Sequence, residues 1–124
     1  MDSKKILVIE DDTFLVQVYS DQLIKNGYQV EVAASGEEGL KKIETNPNAI
    51  LLDLILPGMS GLDVLGALRK DPKTKKTPII VLTVVEDKKE IKKALELGAD
   101  DYLLKSKFSL NEVVGKIERI LGSS

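Results

Sequence analysis

The sequence contains no cysteine and no histidine, and both absences narrow the chemistry open to it. Without cysteine there is no disulfide framework, no thiolate metal site and no thiol nucleophile. Without histidine there is no imidazole for acid catalysis or for metal ligation, and the chain cannot itself carry phosphohistidine. Any metal site or reactive group must therefore be built from other side chains.

An excess of positive charge is also missing, because 18 lysines and arginines face 20 acids and the net charge is -2. No global basic field draws the chain to nucleic acid or to anionic lipid, so we expect no direct nucleic acid contact and no membrane contact. The opening stretch MDSKKILVIEDD has only four consecutive apolar residues, too few for a signal peptide or a membrane span. The sequence thus predicts a cytoplasmic protein.

The length of 124 residues, with 43% hydrophobic and 31% charged side chains, is ordinary for a globular protein. This is near the usual size of one domain and is long enough for a core. We therefore expect a single domain over residues 1–124, with its core spanning about 4–121.

Short apolar runs alternate with segments of helical spacing along the chain. The runs of strand length are Ile6–Ile9, Tyr28–Val32, Ala49–Leu52, Pro78–Leu82 and Asp101–Leu104. Five strand and helix pairs in alternation predict an α/β fold with a parallel sheet, right-handed crossovers and helices on both faces. The first, third and fourth runs are the most uniformly apolar, so we expect those strands in the centre of the sheet.

Serine, glutamate and glycine positions support this division into helices. Ser35 with Glu38 and Ser109 with Glu112 have the spacing of a capping box at a helix N-terminus. Glycines follow three helical stretches, where a left-handed C-cap is common: Gly27, Gly98 and Gly122. We expect helices to begin and end at these positions.

Polar residues close the predicted strands, and all strands of a parallel sheet end at the same edge. Asp53 closes the third run and is followed by the chain-breaking Pro57 and Gly58. The other strand-closing residues are Glu10, Asp11 and Asp12 after the first strand, Thr83 after the fourth and Lys105 after the fifth. Ligands bind at this edge in open α/β sheets, so these residues form a candidate site.

The chemistry of this set is coherent. Two carboxylates about 4 Å apart repel each other by roughly 4 kcal/mol at an effective dielectric of 20, so the cluster needs cations or protons. Hard oxygen ligands without histidine or cysteine favour Mg²⁺. Lys105 adds an ammonium able to reach a phosphoryl oxygen, and Thr83 adds a hydroxyl donor. Since aspartate can form an acyl phosphate, the set predicts that Asp53 accepts a phosphoryl group.

Each of these residues taken alone also has a structural interpretation. Asp53 suits the start of a turn, and the acids at 10–12 suit a first helical turn, where the helix dipole favours each by only ~0.3–1 kcal/mol. Thr83 alone is more often a strand residue, and Lys105 alone is more often a solvated surface lysine. Their joint placement at the strand ends favours a functional site.

Four motifs occur in this order: ILVIEDD, LLDLILPGMSGLDVL, PIIVLT and GADDYLLK. With them the sequence resembles a response-regulator receiver domain over nearly its whole length. The resemblance implies a three-layer flavodoxin-like (βα)5 sandwich whose five-stranded parallel sheet has the order 2-1-3-4-5. It also implies that Asp53 is the phosphoacceptor. Mg²⁺ would be held by Asp53, by Asp11, by Glu10 largely through water, and by the backbone carbonyl of Ile55.

The same resemblance implies a switch. Thr83 would be the switch hydroxyl and Lys105 the phosphate-binding lysine. Tyr102 falls at the aromatic switch position, where the ring moves inward as Thr83 is drawn toward the phosphoryl group. An amphipathic tyrosine half-buried at the rim is the structural alternative, and it is compatible with the switch role.

Three positions depart from the family pattern. Ser106 follows Lys105 where the family usually has a proline in a cis peptide, so we expect either a trans bond with an adjusted loop or a strained cis bond. Val84 replaces a common alanine, which predicts narrower access to Asp53. Ile55 and Val85 offer no amide or acid to orient an attacking water, so we expect slow spontaneous dephosphorylation.

The resemblance further implies a signalling module that is not an enzyme, because any catalysis acts on its own aspartate. The phosphoryl group would come from a sensor histidine kinase, a phosphotransfer protein or a small phosphodonor. The output would pass to a downstream effector protein through the face of the fourth helix, last strand and last helix. We expect a monomer or a phosphorylation-dependent dimer.

Two features of the chain bear on that output. In the segment 87–97 we expect Ile91, Ala94 and Leu95 to face inward, which leaves four lysines exposed. Charged helix faces are usually only solvated, but this one would suit an acidic partner surface. Only three residues follow Leu121, so we expect the chain to signal by docking to another protein unless it comes from a longer one.

Three other functions fit parts of this pattern. A phosphatase or phosphotransferase with an aspartyl intermediate would need an Asp-x-Asp pair followed by threonine and room for a cap domain, which the sequence does not supply. A flavin-binding electron carrier would need a neutral phosphate cradle where this chain has the anionic EDDTF. A pseudo-receiver, kept only as an interaction surface, would not need the complete acid, threonine and lysine set.

Overall fold

The computed structural model describes residues 3–122, which fold into five strands and five helices. The strands are β1 (Lys5–Ile9), β2 (Gln29–Ala33), β3 (Ala49–Leu52), β4 (Ile79–Thr83) and β5 (Asp101–Leu104). The helices are α1 (Thr13–Lys25), α2 (Gly36–Lys42), α3 (Gly61–Lys70), α4 (Lys88–Leu97) and α5 (Leu110–Leu121), with a 3-10 turn at Ile43–Thr45. Strands and helices alternate as predicted.

All strands of the sheet pair in parallel, in the order β2-β1-β3-β4-β5. This is the flavodoxin-like order, and it places β1, β3 and β4 in the centre as their apolar sequences predicted. Ile9 lies opposite Leu52, and Thr83 lies opposite Leu104. The residues that follow β1, β3 and β5 therefore meet at one edge.

Side chains alternate between two cores because successive strand residues point to opposite faces of the sheet. Leu7, Ile9, Ile50 and Leu52 pack with α3 and α4 on one face. On the other face, strand residues between them, such as Val8, pack with α1 and α5. The result is the predicted three-layer sandwich, and the site edge lies between the two helical layers.

The predicted N-terminal caps are present. Ser109 and Glu112 form a full capping box at α5, with bonds of 3.2 Å and 2.9 Å. The Ser35 hydroxyl accepts from the Glu38 N–H at 3.1 Å, but the Glu38 carboxylate lies 3.4 Å from the Ala34 N–H instead of closing a box. Both helices begin where the sequence indicated.

The C-terminal glycines behave differently from one another. Gly98 caps α4 in the left-handed conformation, with a φ of 115° and a ψ of 16°. Asn26 caps α1, and Gly27 follows it with a φ of 93°. Gly122 has a φ of 78° but a ψ of 139°, which lies outside the left-handed helical region. The predicted left-handed cap is therefore confirmed at Gly98 and wrong at Gly122.

Strand β4 begins at Ile79 although we predicted that it would begin at Pro78. Proline has no N–H to donate to the sheet, so it cannot take a full place in the ladder. Its carbonyl still accepts from the Ile50 N–H at 2.9 Å. At its other end the strand runs one residue further than predicted and includes Thr83.

The predicted inward face of α4 is wrong at Leu95, which is 47% exposed. Ala94 is fully buried, Ile91 is half-buried, and Leu97 packs against the core in place of Leu95. Ile91, Ala94 and Leu97 follow the spacing of three residues that keeps side chains on one helical face. Leu95 lies off that face, and α4 has a single fully buried residue.

Across residues 3–122 no helix has both the length and the apolar character needed to cross a membrane.

Candidate functional site

An ammonium group joins two buried carboxylates at the predicted edge of the sheet. Lys105 Nζ lies 2.7 Å from Glu10 Oε1 and 2.8 Å from Asp53 Oδ2. Glu10 follows β1, Asp53 follows β3 and Lys105 follows β5, and the two carboxyl side chains are no more than 6% exposed. The parallel sheet thus brings together three charges that are far apart in sequence.

Backbone groups orient both carboxylates. Glu10 Oε2 accepts from the Asp12 N–H at 3.1 Å, and Asp53 Oδ1 accepts from the Ile55 N–H at 3.1 Å. The Asp53 N–H in turn donates to the Ile9 carbonyl at 3.0 Å and extends the sheet by one bond. Each carboxylate therefore has one oxygen held by backbone and one held by Lys105.

The loop after Asp53 is closed by a near contact with Gly61, the first residue of α3. A Cβ at this position would lie 2.5 Å from the Asp53 carbonyl oxygen, which is too close for any side chain. The Gly61 N–H also donates to the Leu54 carbonyl at 3.0 Å. This close approach fixes the chain that carries the carboxylate.

Glu10, Asp11 and Asp53 form a cluster able to hold a cation. One oxygen from each lies within 4.8 Å of the others, and Asp11 is exposed while the other two are buried. Three carboxylates are the hard oxygen donors that suit Mg²⁺. Asp12 has a different role, because its carboxylate accepts from the Leu15 N–H at 3.1 Å and caps α1. Asp12 thus has a structural role as the N-cap of α1, and it does not lie in the first helical turn that the sequence suggested.

Burial and hydrogen bonding between Lys105 and the carboxylates shift the pKa values of this cluster in opposite directions. Burial raises the pKa of Glu10, although the hydrogen bond from Lys105 works against the rise. Burial alone would lower the pKa of Lys105, but its hydrogen bonds to Asp53 and Glu10 outweigh burial and raise the pKa. The lysine therefore stays charged and serves as a fixed counterion.

Thr83 and Tyr102 meet the same short loop between β4 and α4. Thr83 is fully buried, and its Oγ1 accepts from the Val85 N–H at 3.4 Å. The Tyr102 hydroxyl donates to the Val85 carbonyl at 2.8 Å. Burial and the nearby acids Glu90 and Asp53 raise the pKa of Tyr102 to about 12, so its phenol remains a donor at neutral pH. Both predicted switch residues thus bond to a single loop residue.

Comparison with known sequences decides the family. The sequence model of the response regulator receiver domain matches residues 6–118. The chain belongs to the response regulator receiver family. Members of this family are signalling modules of two-component systems and are not classical enzymes. The strand order and the acidic cluster described above are those expected of a receiver domain.

Relatives and solved structures agree with this assignment. The chain is 41% identical over 123 residues to the alkaline phosphatase synthesis transcriptional regulatory protein PhoP of Bacillus subtilis, covering 98% of this chain and 50% of PhoP. It is 39% identical to the transcriptional regulatory protein CpxR of Escherichia coli, covering 97% of this chain and 50% of CpxR. The chain thus spans about half the length of these curated relatives.

A CheY-like receiver domain of Methanospirillum hungatei superposes with a TM-score of 0.90 at 32% identity, covering 97% of this chain and 94% of that one. A response regulator of Chloroflexus aurantiacus gives a TM-score of 0.88 at 36% identity, with coverages of 97% and 98%. These likenesses extend over nearly the whole receiver domain.

Three apolar residues lie in the loops that follow Asp53 and Thr83. Ile55, two positions after Asp53, is 55% exposed. Val84, which directly follows Thr83, is 58% exposed. Val85 is half-buried. The Lys105–Ser106 bond is trans, since residues 3–122 contain no cis peptide bond. Narrower access through Val84 stays a prediction.

Tyr19 of α1 is a neighbour of the site that the sequence analysis missed. It lines a narrow pocket beneath the site together with Glu10 and Asp53, and burial raises the pKa of its phenol. In the sequence Tyr19 precedes Leu23 by the four-residue spacing that is ordinary for core residues of a helix. Only its aromatic hydroxyl, on an otherwise apolar face, could have marked it.

Proposed function

We propose that Asp53 accepts a phosphoryl group and that phosphorylation changes the surface formed by α4, β5 and α5, which then controls a partner protein. One observation carries this proposal: the Lys105 ammonium bridges Asp53 and Glu10 beside Asp11. A turn-forming aspartate needs no such neighbours. A nucleophilic one needs a cation on each side of the transferring group.

In the proposed transfer, a carboxylate oxygen of Asp53 attacks phosphorus, and the bond from phosphorus to the donor's leaving atom breaks. The leaving group departs with the bonding electrons. Lys105 then follows the new negative charge from the carboxylate to a phosphoryl oxygen. The product is an acyl phosphate on Asp53, and its later hydrolysis restores the carboxylate.

The residues suited to hold Mg²⁺ are Glu10, Asp11 and Asp53, and we propose the backbone carbonyl of Ile55 as a further ligand. Their fit rests on the mutual distances of the three carboxylates, which lie within 4.8 Å. When bound, the ion supplies charge neutralisation for the transferring phosphoryl group. Lys105 alone leaves this cluster with a net negative charge, so a divalent cation has an electrostatic reason to bind.

The proposed switch runs from Thr83 to Tyr102. Before phosphorylation the Thr83 hydroxyl accepts from the Val85 N–H at 3.4 Å. A phosphoryl oxygen on Asp53 then draws this hydroxyl away from the Val85 N–H. The loop residue Val85 also holds the Tyr102 hydroxyl at 2.8 Å. Movement of this loop therefore changes both the N-terminal end of α4 and the tyrosine on β5.

The donor and the receiver of the signal are proposals as well. Residues 1–124 contain no histidine that could supply the phosphoryl group, and we propose that it comes from a sensor histidine kinase, a phosphotransfer protein or a small phosphodonor. We further propose that residues 1–124 act as one cytoplasmic receiver domain that binds an effector protein, contacts neither nucleic acid nor membrane itself, and is a monomer or a phosphorylation-dependent dimer. It catalyses only its own phosphorylation and dephosphorylation.

We also propose that the phosphorylated form is long-lived. Ile55 and Val85 flank the site, and neither side chain offers an amide or acid to orient an attacking water. The Ile55→Asn variant should therefore lose its phosphoryl group faster than the wild type. A wild-type lifetime of only seconds would contradict this proposal.

Incubation with acetyl phosphate and Mg²⁺, followed by intact mass spectrometry, tests the function. We expect the mass of one phosphoryl group to be added, to be removed by hydroxylamine and to be absent in Asp53→Asn. The matched control is Asp63→Asn, because Asp63 is an exposed aspartate in the first turn of α3. Absence of an adduct, together with no Mg²⁺-dependent spectral response, would refute the proposal.

A further inference from the structure

Arg69, near the end of α3, binds two separate loops at the edge of the sheet opposite Asp53. Its Nε donates to the Gly98 carbonyl at 2.9 Å, and its Nη2 donates to Asp100 Oδ2 at 2.8 Å. Its Nη1 donates to carbonyls of the loop between α3 and β4, at 2.9 Å for Thr74 and 2.7 Å for Thr77. The planar guanidinium therefore satisfies its donors in a fixed geometry.

Two acceptors of Arg69, Gly98 and Asp100, follow the C-terminal end of α4 and are themselves held in place. Asp100 Oδ2 also accepts from the Ile79 N–H at 2.8 Å, and the Asp100 N–H donates to the Ile79 carbonyl at 2.9 Å. Gly98 lies against the Arg69 side chain so closely that a Cβ there would be 2.9 Å from Arg69 Cγ. This end of α4 is thus tied to α3 and to the first residue of β4.

The N-terminal end of α4 has a weaker attachment. Its cap, Asp87, bonds only within its own turn, to the Lys89 N–H at 2.8 Å. The preceding loop is held through Val85 by Thr83 and Tyr102, the two residues of the proposed switch. Helix α4 has one fully buried residue, so packing against the apolar core contributes little to holding its two ends equally firmly.

We infer that Arg69 fixes the C-terminal end of α4 as a pivot, so that phosphorylation displaces the N-terminal end of the helix and leaves residues 97–100 in place. This inference rests on the proposed function. Arg69 is a positioning residue, since it lies away from the phosphorylation site and acts through Gly98 and Asp100.

Amide hydrogen exchange with and without beryllofluoride and Mg²⁺ tests the pivot on the wild-type protein. We expect exchange rates over residues 84–91 to change by about fivefold or more, while those over 97–100 change by less than about twofold. The amides of Gly98, Ala99 and Asp100 suit this measurement because all three donate to backbone carbonyls. A change of equal size at both ends would overturn the inference.

Two variants distinguish the effect of losing the Arg69 guanidinium from the effect of losing a positive charge nearby. Arg69→Lys keeps the charge but loses the fork, so residues 97–100 should exchange about tenfold faster and should now respond to beryllofluoride. The control Lys73→Gln removes an exposed lysine that pairs with Glu44 on the same side of the molecule, and it should leave residues 97–100 unchanged. Asp100→Asn is the milder substitute if Arg69→Lys does not fold.

The two failures can be told apart when the exchange experiment is combined with the acetyl phosphate reaction described above. If Asp53 gains the phosphoryl adduct and residues 50–56 respond, but α4 shifts uniformly, the pivot is wrong and the proposed function stands. If Arg69→Lys and Asp100→Asn both leave residues 97–100 unchanged, the pivot is also wrong. If no adduct forms and no segment responds, the proposed function fails and the inference fails with it.

Discussion

Replacing Lys105 by methionine tests the charge balance of the site, because methionine keeps an unbranched side chain of nearly the same length and removes the ammonium. The lysine makes two charged hydrogen bonds, of 2.7 Å and 2.8 Å, and its side chain is 14% exposed. Removing one partner of a buried ion pair costs about 3–5 kcal/mol. The site lies at a solvent-facing edge, so we expect the lower value, about 3 kcal/mol of unfolding free energy at pH 7.5.

Thermal unfolding followed by circular dichroism, with EDTA present, measures this loss. For a domain of this size about 1 kcal/mol corresponds to roughly 4 °C, so the midpoint should fall by about 12 °C. Lys107→Met is the matched control, because Lys107 is exposed and only two residues away. The control should stay within about 0.5 kcal/mol of the wild type.

The loss should shrink as the pH falls. In the wild type the pKa of Glu10 is already raised above its ordinary value of 4.5 by burial, and the hydrogen bond from Lys105 restrains the rise. Without the ammonium that pKa rises further, so the folded variant binds a proton more tightly than its unfolded chain does. A group with a raised pKa in the folded state stabilises folding at a pH below its pKa in the unfolded chain. This stabilisation is lost as the pH rises through its pKa in the folded state.

The variant should therefore approach the wild type at pH 5 and differ most at pH 7.5. A midpoint unchanged at both pH values would refute the view that Lys105 neutralises buried carboxylates. A deficit that grows at pH 5 would refute the sign of the argument.

Three further substitutions probe the supports of the site, each by chemical denaturation and by the rate of phosphorylation with acetyl phosphate. Tyr102→Phe should cost about 1 kcal/mol and leave phosphorylation nearly unchanged, because only one hydrogen bond is lost; a loss of phosphorylation would contradict this. Gly61→Ala should cost about 2–3 kcal/mol and slow phosphorylation, because its Cβ displaces the Asp53 carbonyl, and a neutral result would refute the close approach. Ser109→Ala should cost about 1 kcal/mol, whereas Ser106→Ala should not, and equal effects would argue against the cap.

The architecture was predictable because its signals are local and repeated. Five apolar runs, four of them closed by polar residues, indicate parallel strands, and the strand-closing positions then define the site edge. Asp53, Glu10 and Lys105 could be placed together on that basis, since the geometry of a parallel sheet leaves little choice. The preference for Mg²⁺ followed from the hard oxygen donors, whereas its particular set of ligands and the switch roles came from the family resemblance.

What sequence reasoning missed depends on tertiary contacts. Leu95 has the spacing of a core residue, but the width of the buried face of α4 is set by how that helix lies on α3 and β5. Arg69 reads as an ordinary surface arginine at the end of a helix, because four of its five acceptors are backbone carbonyls in other segments. No pattern in the sequence marks a carbonyl as the partner of a distant side chain.

The most direct test of the central claim identifies the residue that carries the phosphoryl group. After incubation with acetyl phosphate and Mg²⁺, borohydride reduces an aspartyl phosphate to homoserine, and peptide mass spectrometry locates the change. We predict homoserine at position 53, with formation abolished when Mg²⁺ is replaced by EDTA. Homoserine at another acidic position, or at none, would contradict the account.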